Sequence, residues 1–408
     1  ATTSTAAPVD TGHAEAPSGD AITLGQLLGI LRGKHPRMET ARAKLEVARA
    51  RRESARMYPN PIFNFQVLHL ISGYNQNGLG TFTVYVQQPF YVAGQRIQRR
   101  KAARAQESAA EAEVTAAYHE LAAIGRHAFV ELQASQQHHG VLGSAVVDLE
   151  RVRDVVASRY AAGAESKYDV ARISLEVAEW RARIAGSNAD IRDAAGRIGV
   201  IAGRPQWHPS AADELASSGL VADPDTLWPD VQRSQPAIEL ARRGERLAER
   251  ELILARREAV PQPTVGFGMV GIDNFFSMSL VGGLTIPLPL FDWGQGQLAK
   301  AKADIRVAKA EKEAVVAESR AELDRAAGVL EQRKLALAQF ERDVLAHTKG
   351  LQQMAEDAYV TGQASILELI DAIELHYDLE LQRTELLEQV VHAEVDLLHV
   401  LGRIEEGT

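Results

Sequence analysis

The 408-residue chain contains no cysteine. This excludes disulfides, thiolate chemistry and Cys-ligated metals within these residues, and leaves none of them to carry a Cys-linked lipid. It also lacks any apolar run of the ~18–20 residues that a membrane-crossing helix needs. Basic residues are outnumbered, 45 Lys and Arg against 54 Asp and Glu, for a net charge of −9. Binding to nucleic acid needs a basic surface to neutralise phosphates, so no nucleic-acid partner is expected. No P-loop, GxSxG or HExxH motif is present, and no GxGxxG followed by a suitable fold, so no catalytic residue, enzyme activity or cofactor is assigned. The chain begins at Ala1 rather than Met, which fits removal of an export signal. Residues 1–20, rich in Ala, Thr, Ser, Pro and Gly, read as a flexible lead-in.

Proline is missing from two long stretches, 115 residues between Pro89 and Pro205 and 119 after Pro289. A proline inside a helix costs about 3 kcal/mol, so its exclusion marks long helices. Apolar and alanine positions recur with helical spacing at Leu298, Ala301, Ile305, Ala308 and Val315, and again at Leu379, Leu386, Val390, Ala393, Leu397 and Val400. Such stripes seek partner helices. Each stretch is interrupted once, at Tyr160-Ala161-Ala162-Gly163-Ala164-Glu165-Ser166 and at Tyr359-Val360-Thr361-Gly362-Gln363-Ala364-Ser365. Glycine just past a helix end, followed by a serine N-cap, predicts a tight reversal. The pattern predicts a helix of about 65 residues, a turn and a return helix of about 35–40, twice over, the long helix reaching ~100 Å.

Charge is missing from two other segments. Residues 58–95 contain no Asp, Glu, Lys or Arg, and residues 259–291 contain only Asp273. Thirteen of the 23 aromatic residues lie within 58–94 and 263–293, so these segments differ in kind from the helical ones. Their period is two: Phe63, Phe65 and Val67; Phe82, Val84 and Val86; Val265, Phe267 and Met269; Phe276, Met278 and Leu280. The turn clusters Gly73–Gly78 and Gly271–Asn274 separate the members of each pair, which predicts two β-hairpins. One face is apolar and the other small or polar, as in membrane-spanning strands. Four strands are too few to close a barrel, and open edges are not tolerated in lipid. Strands of this kind therefore require several chains per barrel. The competing reading is a soluble coiled-coil scaffold with two hairpins packed on its helices.

The two halves match at an offset near 200: His35-Pro36 with Gln235-Pro236, Pro59-Asn60-Pro61 with Pro261-Gln262-Pro263, Pro89 and Gly94 with Pro289 and Gly294, Tyr160 and Gly163 with Tyr359 and Gly362. The expected organisation is a first repeat over 21–203 with its hairpin at 58–94, a connector over 204–230, and a second repeat over 231–408 with its hairpin at 261–293. The fold class is mainly α with an internally duplicated helix–hairpin–long helix–turn–helix unit.

This duplicated order resembles the TolC-like outer-membrane factors of Gram-negative tripartite efflux systems. The resemblance implies a homotrimer with one 12-stranded transmembrane β-barrel in outer-membrane lipid and an α-helical coiled-coil tunnel through the periplasm. It implies a passive exit duct working with a periplasmic adaptor protein and an inner-membrane RND pump. Within the family, Gln88-Pro89-Phe90-Tyr91-Val92-Ala93-Gly94-Gln95-Arg96 and Pro59-Asn60-Pro61 look most like the heavy-metal branch, which exports cobalt, nickel, zinc and cadmium cations. Drug efflux and type I secretion are the alternatives within the family. Many members carry a lipidated N-terminal cysteine, which this sequence lacks.

Glu368 and Asp371 share a helix face at i and i+3. Ser365 and Glu368 also read as a capping box, which by itself accounts for Glu368. The resemblance implies that Glu368 and Asp371 form acidic rings at a periplasmic gate, with Asp169 as their counterpart in the first half. It likewise implies that the turns, through Tyr160, Gly163, Ser166, Tyr359, Gly362 and Ser365, dock the adaptor. Glu388, His392, Asp396 and His399 run i, i+4, i+8, i+11 along one helix face. Such a column suits Zn²⁺ or Co²⁺, but charged helices normally present solvated faces of this kind, and no metal site is assigned. His138 and His139, being adjacent, point apart on a helix.

Overall fold

In the computed structural model, residues 20–69, 71–72, 80–220, 223–272 and 277–406 are described. The lead-in 1–19, the turn residues 73–78 and 273–274, and Phe276 lie outside the described residues. The chain forms two compact units, each assembled from both sequence repeats. One comprises residues 40–116 and 236–317, the other 1–39, 117–235 and 318–408.

In the first of these units, helix α2 (Pro36–Ser54) leads to strands β2 (Ile62–Leu68) and β3 (Thr81–Pro89) and then to α3 (Gln95–Ala161). Helix α6 (Pro236–Glu258) leads in the same way to β5 (Thr264–Ile272), β6 (Ser277–Thr285) and α7 (Gln295–Phe340). The sheet is antiparallel throughout, in the order β2-β3-β5-β6. Gly271 and Ile272, expected in a turn, extend β5 and pair with Met278 and Ser277. Cross-helix ion pairs bind the helical part: Arg52 to Glu107 at 2.7 Å, Lys312 to Glu245 at 2.7 Å, and Lys44 to Glu113.

In the second unit, α1 (Leu24–Lys34) starts from a Thr23–Gln26 capping box, and β1 (Ala21–Ile22) pairs in parallel with β4 (Ser210–Ala211). Helix α4 (Lys167–Ile201) is the return from α3, and α5 (Pro224–Ser234) occupies the end of the expected connector. The second long helix is not uniform. After α7 comes a π-helical turn at Glu341–Leu345, then α8 (Ala346–Val360), the turn, and α9 (Ile366–Val400). The predicted lengths agree, with 67 and 35 residues for α3 and α4 and 35 for α9, but periodicity gave no sign of the π turn.

The α9 stripe is buried at Val390, Ala393, Leu397 and Val400. Two polar anchors support it. Arg126 is buried and donates to the carbonyls of Ile404 at 2.6 Å and Glu406 at 2.9 Å, tying down the chain after α9. Glu394 is also buried. Burial opposes its charge, but donors from Ser217, Ser218 and Lys334 hold the carboxyl below its usual range. A buried carboxylate persists only when so many donors replace water.

Candidate functional site

Cross-strand register turns the sheet into two unlike faces. Phe65, Val84, Met269 and Leu280 form one row across all four strands, and Val67, Phe82, Gly271 and Met278 form another. The opposite face carries Gln66, Thr83, Val270 and Ser279 in one row and Ile62, Gln87, Gly266 and Gly283 in another. On the apolar face Phe63, Phe65, Val67, Phe267, Leu280 and Leu284 are each at least 60% exposed. Fully exposing such a side chain forfeits about 1.5–3 kcal/mol, which is tenable only if something other than water covers the face. On the other face Tyr85 lies over Gly266, Gly268 and Gly283, where no side chain has room. Aromatics paired with arginine stand where the sheet meets the helices. The Arg96 guanidinium sits 4.1 Å from the Tyr58 ring centre, and that of Arg99 4.8 Å from Tyr91. Aromatic belts of this kind mark the edges of membrane-spanning barrels. Among the described residues no helix is long and apolar enough to cross a membrane.

The helical reversals are built from paired signals. Gly163 and Gly362 have φ of +78° and +75°, which glycine adopts without penalty. In each turn the following residue closes a bond back to the helix, Ala164 N to Arg159 O at 2.9 Å and Gln363 N to Ala358 O at 2.8 Å. Ser166 with Asp169, and Ser365 with Glu368, are complete capping boxes that start α4 and α9. Backbone and side-chain hydrogen bonds from Ser365 hold the exposed Glu368 carboxyl below its usual pKa. Asp371 is exposed one turn on, and Asp169 is half-buried.

The two turns are not equivalent. Tyr359 is 3% exposed and donates to Glu165 Oε1 at 2.9 Å, while Arg159 pairs with the same carboxylate at 3.1 Å and covers the Tyr359 ring. Burial and the Glu165 carboxylate push the phenol's pKa up, so it stays protonated. Tyr160, its repeat counterpart, is 46% exposed. The alignment of Tyr160 with Tyr359 suggests equivalence, but the positions matching Arg159 and Glu165 are Ala358 and Ala364, so Tyr160 has no equivalent partners in the other turn.

Behind the turns lies a core of α3, α4, α8 and α9 side chains, including Leu149, Val156, Ile173, Trp180, Ile370 and Ile373. Beside it sits a carboxyl pair missed in the sequence. Glu176 is buried, takes a 2.6 Å bond from Arg172, and meets Glu374 of α9. Burial and the bond to Glu176 push Glu374 up to about 7. The available signal was only their similar distance from the N-caps, ten residues past Ser166 and nine past Ser365. The folded chain therefore holds a proton between roughly pH 4.5 and 7 that the unfolded chain has released. The stability contributed is lost as pH rises through that window and is absent at pH 8. Solvent screening reduces the effect to the order of 1 kcal/mol. Glu374→Gln is expected to raise Tm at pH 8 by about 2–4 °C and to flatten the dependence between pH 5 and 8, read by thermal unfolding of the solubilised protein.

Residues 27–204 match the family model described as outer membrane efflux protein. The duplication carries the same order of elements through the second half. Over residues 27–204, somewhat under half of its length, the chain carries the pattern of this family. The chain is 23% identical to the cobalt-zinc-cadmium resistance protein CzcC of Cupriavidus metallidurans, over 97% of this chain and 94% of that one. Its fold matches the outer-membrane channel OprN with a TM-score of 0.72 at 20% identity, covering 93% of this chain and 89% of that one. It matches the outer membrane protein VceC of Vibrio cholerae with a TM-score of 0.71 at 21% identity, covering 93% and 96%. The chain is thus placed in the outer membrane of a Gram-negative bacterium, and its sheet has the uncovered apolar face that such a location requires. A water-soluble scaffold would leave the apolar face uncovered.

Proposed function

We propose that three copies of this chain close one 12-stranded barrel and form the passive exit duct of an RND-type tripartite system for divalent heavy-metal cations. The observation that carries this is the sheet, with a continuous apolar face and, on β2 and β6, one edge each without a strand partner among the described residues. Lipid tolerates strands only in a closed barrel, and four are too few. Charge supports a cation cargo. The strand-bearing unit has 22 Lys and Arg against 15 Asp and Glu, a net +7, whereas the unit holding the turns has 23 against 39, a net −16. An acidic conduit concentrates cations. CzcC adds the metal class by likeness.

In this reading Glu368, Asp371 and Asp169 form the periplasmic gate. The turns at Tyr160, Gly163 and Ser166 and at Tyr359, Gly362 and Ser365 receive a periplasmic adaptor, which links the duct to an inner-membrane pump. Light scattering on detergent-solubilised protein is expected to give a protein mass of about 133 kDa, three times the 44.4 kDa chain. A monomer or dimer would overturn the shared barrel. Deleting the gene is expected to sensitise cells to Co²⁺, Ni²⁺, Zn²⁺ or Cd²⁺; unchanged metal tolerance with altered drug tolerance would overturn the cargo.

A further inference from the structure

The histidines of α9 meet others from α3. His127 Nδ1 and His392 Nδ1 are 2.7 Å apart. Their ring centres are 5.0 Å apart and the planes differ by 21°, so the separation is the contact plus one ring radius at each end. The imidazoles therefore meet edge to edge, with the two nitrogens facing each other in plane. Each outer nitrogen faces a carboxylate: His127 Nε2 is 3.1 Å from Asp396, and His392 Nε2 is 3.4 Å from Glu388. Asp396 meets His127 Nε2 through one oxygen and has Arg325 3.9 Å from the other. A carboxylate at Nε2 fixes the tautomer with its proton there and leaves the lone pair on Nδ1. At 2.7 Å the two Nδ1 atoms are joined either by a shared proton, as an N–H···N hydrogen bond, or by a cation that replaces it.

We propose that His127 and His392 form a binding site for one borderline divalent transition-metal ion, of the class of Zn²⁺, Co²⁺, Ni²⁺ or Cu²⁺, held by the two Nδ1 atoms. The inner nitrogens are the ligands, and Asp396 and Glu388 orient them from behind. Zinc–nitrogen bonds of about 2.0–2.1 Å need the nitrogens somewhat farther apart and at an angle. Both side chains are about 30% exposed and have room to turn. Among the described residues no third His or carboxylate converges on the point, so water completes the coordination and the ion exchanges. Imidazole selects this class over Mg²⁺ and Ca²⁺, which require oxygen ligands. The column expected from sequence is thereby rearranged: Glu388 and Asp396 move behind the ligands, and His127 enters from a helix 265 residues away. His399 belongs to a separate pair, stacked on His119, with Glu120 at 3.3 Å.

The test is equilibrium dialysis and calorimetry of the full-length solubilised protein with Zn²⁺, Cu²⁺ or Mg²⁺. One saturable Zn²⁺ or Cu²⁺ per chain is expected, and none of Mg²⁺. His127→Ala and His392→Ala should each abolish it, Asp396→Asn and Glu388→Gln should weaken it about 10–100-fold, and His138→Ala should leave it unchanged. Bound Cu²⁺ in the unaltered protein should show nitrogen couplings from two imidazoles in its electron paramagnetic resonance spectrum, a readout independent of whether the variants fold. No saturable uptake, a purely oxygen-ligated copper signal, or a folded His127→Ala protein that binds normally would each overturn the site. Because binding is read on purified protein, its failure is distinct from failure of the proposed metal export.

Discussion

Gly268→Val is expected to remove most of the protein from the outer membrane, whereas Gly282→Val, one strand away, leaves assembly intact. A Cβ on Gly268 would lie 2.1 Å from the Val84 carbonyl oxygen and 2.9 Å from the Tyr85 Cα. Those atoms are backbone of the paired strand and cannot rotate aside. A Cβ on Gly266 would instead meet the Tyr85 hydroxyl at 2.1 Å and the ring carbon bearing it at 2.2 Å. Gly282 has nothing within 4 Å and stands on the apolar face opposite Phe267. Valine there adds a β-favouring apolar side chain where lipid meets the sheet. Outer-membrane fractionation followed by unheated gel electrophoresis distinguishes the two outcomes. Equal assembly of both variants would show that Tyr85 does not pack over the glycines in the membrane.

Glu368→Gln combined with Asp371→Asn is expected to abolish the cation preference of the reconstituted channel. Under a salt gradient its reversal potential should move toward zero, with cation-over-anion permeability falling several-fold. The substitution separates two roles. Glu368 completes the Ser365 capping box, accepting from Ser365 N at 2.6 Å, and glutamine at this position also supports a capping box. The start of α9 therefore survives while the charge disappears. A reversal potential equal to that of the unaltered channel would reduce Glu368 to a helix cap and move the gate elsewhere.

Most of the fold was legible because it rests on local rules. The proline gaps, the capping serines and the glycines past the helix ends locate α3, α4 and α9 within a few residues, and alternation at Phe63–Val67 and Phe82–Val86 locates β2 and β3. These signals are short-range and need no knowledge of packing. The central pairing of β3 with β5 depends on segments nearly 180 residues apart, and only the repeat suggested that the hairpins belong together. Side-chain constellations were less accessible. Glu176 and Glu374, or His127 and His392, become neighbours through helix phase and crossing, and a partner's helix cannot be seen in one helix's periodicity. The π turn at Glu341–Leu345 escaped because one widened turn barely shifts an apolar stripe. The Tyr359–Glu165–Arg159 contact escaped for the opposite reason: the repeat implied equivalence where the structure has specialised one turn.

The edges of β2 and β6, which have no strand partner among the described residues, carry a genetic consequence. In the proposed ring each protomer supplies one edge to each neighbour, so a chain with a defective edge spoils a ring that also contains sound copies. With equal expression of sound and defective alleles, about one closed trimer in eight would be wholly sound. Lesions in the outer strands should therefore behave as dominant alleles. Lesions that keep the chain from ever reaching the ring should be recessive, because such chains never enter the count.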